Sequence, residues 1–312
     1  MIRLVADLVL RAVVVLAGTA LATFALLWHA PGDPALAIAL ARFGSQVPAD
    51  VVDEIRTQVG LDGGFWPAFQ GWVTPLLQGD FGKSSVTGRE VWPDLVTAIS
   101  YSFPLALMGM LVGVALSVPL ALLATRAPGG WVDRCAVAVA SLGTAIPQFW
   151  MGLLLILLFA VHLGWLPAMG ARTPTHAALP ALALGLGVAA SFTRILRSGI
   201  LEARSQPFLP AIRRRGVTDR AIGRDHIGPH AAVPVVTVFG LELAFLLEGI
   251  VVFEIIFGRP GLGTTLIRAI LARDFPTMQA VVLLTALVFV IVNLSVDLIY
   301  RAIDPRMGAR DA

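Results

Sequence analysis

Five acidic or amide side chains stand where such groups are costly. Glu242 and Glu248 fall inside the apolar run 231–253, Glu254 lies at its end, and Asn293 and Asp297 sit one turn apart in the run 278–300. A charge at the centre of a bilayer costs about 2.5–3.5 kcal/mol on insertion scales, so these groups are expected to face a cavity or a partner helix. At about 100° per residue, Glu242 and Glu248 point about 240° apart and share no narrow face. Two readings stay open for them: protonated or paired packing groups, or the lining of a passage through the membrane. Asp297 has a simpler partner in Arg301 at i,i+4.

Other patterns carry less chemistry. GDFGKSS (79–85) looks like a phosphate loop, but the glycine required five positions before Gly82 is Leu77. No G-x-S-x-G, H-E-x-x-H or paired-cysteine pattern occurs, and Cys135 stands alone, so neither a hydrolytic enzyme nor a disulfide framework is indicated. His226 and His230 are four apart, but Gly228 and Pro229 between them argue for a loop rather than a metal-binding helix. His29, His162 and His176 are isolated in sequence. That leaves RRRGVTDRAIG (213–223), an arginine cluster between two apolar runs.

The elements that must position these groups are membrane helices. The chain has 312 residues, 57% hydrophobic and 14% charged with a net charge of +3, and its mean hydropathy is +0.83, outside the balance of a soluble domain. Basic residues here are read first against membrane topology rather than nucleic acid. Six runs approach the roughly 20 apolar residues of a bilayer span: 9–28, 99–124, 136–161, 177–193, 231–253 and 278–300. The first is too long for a cleaved leader and is read as a retained span. Fifteen Lys and Arg residues fall on the side shared by the two termini and the segments 126–134 and 194–230, against eight on the other side, so both termini are expected in the cytoplasm. The segment 30–97 is then an outer region, with a helix expected from Pro48 to about Gly60. The 37-residue segment 194–230 exceeds what topology needs. Two short helices broken at Gly216 would make it a binding surface.

Several stretches together resemble the inner-membrane permease subunits of binding-protein-dependent ABC importers of the dipeptide, oligopeptide and nickel group. They are APGDPA (30–35), GLDGGFW (60–66), GDFGKSSVTGREV (79–91), IPQFWMGLLLILLF (146–159), LGWLPAMG (163–170), GRPGLGTTLIRAILARDFP (258–276) and NLSVDLIYRAIDPRM (293–307), in the family's order. The resemblance implies an all-α polytopic membrane protein with six transmembrane helices in the type I ABC importer permease fold. Its parts would be a first helix in 1–29, a periplasmic region 30–97 and a five-helix core 98–312. The resemblance makes the segment 194–230 a cytoplasmic coupling loop that docks on an ATPase, through Ala211, Arg213, Arg214, Arg215, Gly216, Val217 and Asp219. Only Ala211 and Gly216 keep the family's pattern there, and Pro207 and Pro210 imply a short first coupling helix or one that begins late. In the fifth span Glu254 matches the family while Glu242 and Glu248 depart from it; these three are the pathway candidates.

The implied function is a non-catalytic permease for di- or oligopeptides, with nickel or a metal chelate as the alternative cargo. The implied partners are a homologous second permease, two ATP-binding subunits holding ATP and Mg, an extracytoplasmic substrate-binding protein and membrane lipid. No cofactor, metal or nucleic acid is expected on this chain. An ion-coupled secondary transporter using Glu242 and Glu248 is the rival of another class; it predicts an internal inverted repeat, and none is seen. A membrane-embedded enzyme would need a nucleophile or metal constellation that does not stand out.

Overall fold

The structure is a computed structural model that describes residues 2–29, 32–44, 46–58 and 61–303. In chain order its helices are α1 (Ile2–Trp28), α2 (Pro34–Phe43), α3 (Ala49–Gln58), α4 (Phe65–Leu77), α5 (Val91–Ala124), α6 (Trp131–Ala145), α7 (Gln148–Leu155), α8 (Ala178–Arg204), α9 (Leu209–Arg214), α10 (Asp219–Ile222), α11 (Gly228–Ile256), α12 (Leu262–Leu271) and α13 (Phe275–Ile303). Among the described residues there is no strand, only an isolated bridge between Lys83 and Glu90. The expected helix after Pro48 is present as α3; residues 59 and 60, where it was expected to stop, lie outside the described residues.

Contacts divide the chain into two compact units, residues 1–102 with 260–291, and residues 103–259 with 292–312. In the first unit, Asp33 caps α2 by accepting from the Ala35 amide at 2.9 Å and takes the Arg56 guanidinium at 2.5 Å, so α2 and α3 close over Ala35, Ile38, Ala39, Val52 and Ile55. The beginning of α5 packs Val91, Leu95 and Ala98 against Leu262 of α12 and Ala280, Val281 and Leu284 of α13. Helix α12 ends in a Schellman turn, in which the Asp274 amide donates to the Ala269 carbonyl and that of Arg273 to Ile270. Arg273 takes the left-handed position at φ 53°. That turn sets the buried Asp274 carboxylate to accept from Ser84 Oγ at 2.5 Å, the Ser85 amide at 2.9 Å and Thr277 Oγ1 at 2.8 Å. Through Ser84 and Ser85 the GDFGKSS loop thus straps itself to the turn after α12.

In the second unit α8 is central. A Cβ on Gly109 of α5 would stand 2.8 Å from Leu184, one on Gly185 would stand 2.5 Å from Val112, and Gly113 lies under Val188. Gly109 and Gly113 form a GxxxG pair, and here it brings two backbones together. The order of these contacts makes α5 and α8 parallel. Gly143 faces Ala190 and Asp133 pairs with Arg197, so α6 is antiparallel to α8; Gly199 faces Ala231 and Pro234 while Phe192 meets Phe239, so α11 is antiparallel to it as well.

Among the described residues four helical segments are long and apolar enough to cross a bilayer: Val9–Trp28, Val91–Ala124, Pro174–Arg204 and Phe275–Val296. The third predicted span, 136–161, is not one straight helix. Residues Trp131–Ala145 and Gln148–His162 meet at 101°, because Ile146 precedes a proline and takes an extended conformation at φ −81°, ψ 127°. Two parallel spans, α5 and α8, require the chain between them to return across the bilayer, so the bent pair makes one crossing. Helix α11, at 29 residues, has the length of a sixth span.

Candidate functional site

The arginine segment folds as two short helices. Helix α9 starts with Pro210 in its first turn, where a missing amide proton costs nothing, and ends at Arg213 and Arg214, whose charges suit the carbonyl end. Gly216 reverses the chain at φ 79°, and a Cβ there would meet no atom within 4 Å, so the glycine serves the backbone conformation rather than a close contact. Thr218 then caps α10, its hydroxyl accepting from the Ala221 amide at 3.4 Å. Arg213 Nε lies 3.3 Å from Asp219 Oδ1 across the turn. Leu209 and Ile222 are the buried anchors, one per helix. As expected from Pro207 and Pro210, the first helix begins late and is short. All seven predicted coupling residues, Ala211, Arg213, Arg214, Arg215, Gly216, Val217 and Asp219, are exposed on this one segment.

Beyond α10 the structure departs from the expected loop at His226 and His230. Gly223–Ile227 forms a π-helical turn that runs into α11. Pro229, in the first turn of α11, has no amide to give to the turn before it, and the ladder widens there, with the Gly228 amide donating to the Gly223 carbonyl. The Phe208 ring packs on both histidines, at 6.3 and 5.6 Å between centroids, folding the segment back onto α11. Arg224 holds the neighbouring Asp225 carboxyl below the usual carboxylate range through a hydrogen bond of 2.6 Å.

Behind the two helices a cavity of about 730 Å³ opens in the second unit, with Arg126, Arg204, Arg213 and Asp219 among apolar side chains such as Leu122 and Ile200. Two contacts in the same unit were missed by sequence reasoning. Arg204 donates to the Thr125 carbonyl, tying the ends of α8 and α5. Arg197 grips Asp133 with two bonds, 2.5 Å from Nε and 2.7 Å from Nη2, while Asp133 also accepts from the Gly129 amide at 2.7 Å. An acid in the first turn of an apolar helix was the available signal.

The pathway candidates separate by burial. Glu242 is half-buried on α11, and Glu254 has no exposed surface at all (0%). The side chains of Glu248, Asp297 and Arg301 lie outside the described residues. Among the described residues no group of three or more His, Cys, Asp or Glu side chains is placed to hold a metal.

Residues 117–309 match the binding-protein-dependent transport system inner membrane component, and residues 1–105 match the N-terminal domain of such membrane components. The chain belongs to this family. The glutathione transport system permease protein GsiC of Escherichia coli K12 is 37% identical over 275 residues, 88% of this chain and 89% of GsiC. GsiC of Salmonella typhi is 38% identical over the same share of each chain. Among solved structures, the inward-facing MetNI methionine ABC transporter matches with a TM-score of 0.56 at 21% identity, over 67% of this chain and 95% of that chain. An amino acid ABC transporter with histidines gives a TM-score of 0.53 at 19% identity, over 67% of this chain and 94% of that one. These likenesses establish the fold of the permease, a type I importer subunit that passes several times through the inner membrane.

Proposed function

We propose that this permease imports short peptides such as glutathione, paired with a second, non-identical permease and driven by two ATPase subunits that dock on α9 and α10. ATP and Mg belong to those subunits, and an extracytoplasmic binding protein delivers the cargo to the region 32–90. Both termini and the segment 205–227 face the cytoplasm in this reading. The observation that carries it is the exposed surface from Ala211 to Asp219, held out on two helices that are each seated by one buried residue. The relatives named for glutathione support the peptide class.

The mechanism follows from the seating. When the ATPase pair closes, α9 and α10 are drawn together with the ends of α8 and α11, and the paired permeases rock between outward and inward openings. Moving a two-state pathway from 1:99 to 99:1 takes about 5.5 kcal/mol of differential interaction, which ATP binding and hydrolysis by two subunits can supply. Glu242 faces the cargo in this reading, Glu248 is a second candidate, and Glu254 acts from within the protein.

The test is to co-express the chain with the neighbouring permease and ATPase genes, purify through a tag on this subunit and compare wild type with the double variant Arg214→Glu, Gly216→Pro. Loss of docking contacts worth about 2 kcal/mol would lower ATPase recovery or stimulation by about thirtyfold. If no ATPase co-purifies with the wild type, or activity ignores the variant, the docking assignment fails. Proton-coupled transport through Glu242 and Glu248 is then the reading to test.

A further inference from the structure

Helix α4 sits in a region that is otherwise strongly charged. Residues 30–97 carry eight acidic and four basic side chains, yet 63–79, GGFWPAFQGWVTPLLQG, carry none. Helix α4 has 13 residues, about 20 Å of helix, too short to span a bilayer. An apolar helix of this length is either a buried core helix or an interfacial or re-entrant segment. No residue of α4 is buried, so the first alternative fails.

Its position along α1 gives its depth. Phe24 of α1 is met by Phe65 at 5.4 Å, Phe69 at 5.3 Å and Trp72 at 5.5 Å, and Trp28 meets Phe65 at 5.9 Å. Positions i, i+4 and i+7 share one helix face, so α4 grips α1 with a single aromatic stripe. Phe24 lies one turn inside the end of the span Val9–Trp28, about 6 Å along the axis. Helix α4 therefore lies alongside the last turns of a membrane span. Its other face leaves Trp66 61% and Leu77 84% exposed. The span of α1 is itself only 11% buried, so one apolar surface continues from α1 onto α4. Indole rings at such a boundary are at home between headgroup and acyl chain.

We propose that α4 is embedded in phospholipid, in the leaflet at the C-terminal end of α1, as a second membrane anchor for the charged region around it. The assignment is independent of which side is cytoplasmic and of what is transported. Such an anchor fixes the height of α2, α3 and the Ser84–Asp274 strap above the bilayer, and so the height at which a delivered cargo is received.

The experiment places a nitroxide at Leu77→Cys in a Cys135→Ala background, in the complex with its partner subunits reconstituted in phosphatidylethanolamine and phosphatidylglycerol nanodiscs. Collisions with oxygen, which partitions into lipid, are compared with those of a water-soluble nickel chelate. Leu26→Cys on α1 is the lipid reference and Asp50→Cys on α3 the aqueous one; Trp66→Cys repeats the measurement if Leu77→Cys fails to assemble. The expected result is loss of chelate collisions with oxygen access retained, matching Leu26. A label that behaves like Asp50 overturns the proposal by placing α4 in water. A label shielded from both reagents while Leu26 still meets oxygen overturns it by placing α4 under a protein partner.

Discussion

Arg197 and Asp133 show how one ion pair organises a helix bundle. Asp133 is buried and its fork to Arg197 fixes both the height and the rotation of α6 against α8. Removing one partner of such a pair leaves an uncompensated charge, so Arg197→Ala should lower the thermal unfolding midpoint of the detergent-purified protein by several degrees. Arg197→Lys keeps the charge but loses the second arm of the fork, an expected cost of about 1 kcal/mol. Equal midpoints for the three proteins would mean that the pair is solvated and idle. In the sequence Arg197 reads as one more positive-inside residue, because a topology charge and a buried clamp look alike until the partner is placed. The two short helices on either side of Gly216 were legible for the opposite reason. Their signal is local, an arginine run interrupted by a glycine, and it needs no distant partner.

At the scale of elements, the seam between α5 and α8 depends on missing side chains. A Cβ on Gly113 would collide with Val188 and stand 3.2 Å from the Gly185 carbonyl oxygen, a backbone atom that cannot rotate away. Overpacking of this kind costs about 1–3 kcal/mol. Gly113→Ala should therefore destabilise the purified protein, and adding Val188→Ala should restore part of the loss; additive losses in that pair would refute the contact. Long apolar helices were legible because a span needs only length and hydropathy, and α3 because a proline start and a glycine stop bracket it. Helix α12 was not, since Arg273 occupies the left-handed position where a glycine would have marked its end. Nor was α4, where Pro67, Gly71 and Pro75 mask the aromatic stripe of Phe65, Phe69 and Trp72 until its partner Phe24 is placed. The bend between α6 and α7 was present in the sequence as Pro147, but proline is tolerated inside α5 at Pro104 and Pro119, so the residue alone does not choose between a kink and a corner.

At the scale of the whole molecule, the interlock of α5 and α8 limits how the transporter can move. Leu184 rests over Gly109, Val112 over Gly185 and Val188 over Gly113, like teeth seated in single notches. Sliding one helix past the other by a turn, about 5.4 Å, would carry Val112 onto Ala181 or Ala189, where a methyl group fills the notch. Although such a slide would bring Leu184 onto Gly113 or Val188 onto Gly109, Val112 has no second notch to enter, so the two helices are expected to travel as one piece through the transport cycle. A Cβ built on Gly109 would stand 2.8 Å from that of Leu184, so a cysteine pair there opens the seam by about 1 Å to reach the roughly 3.8 Å of a disulfide; the oxidised and reduced forms of that pair in a Cys135→Ala background, which share the same overpacking, test this. Oxidised and reduced proteins should import cargo at the same rate, whereas a rate that falls on oxidation would reveal sliding at this seam. With this pair locked, the strokes of the cycle are left to the surfaces where the chain meets other subunits.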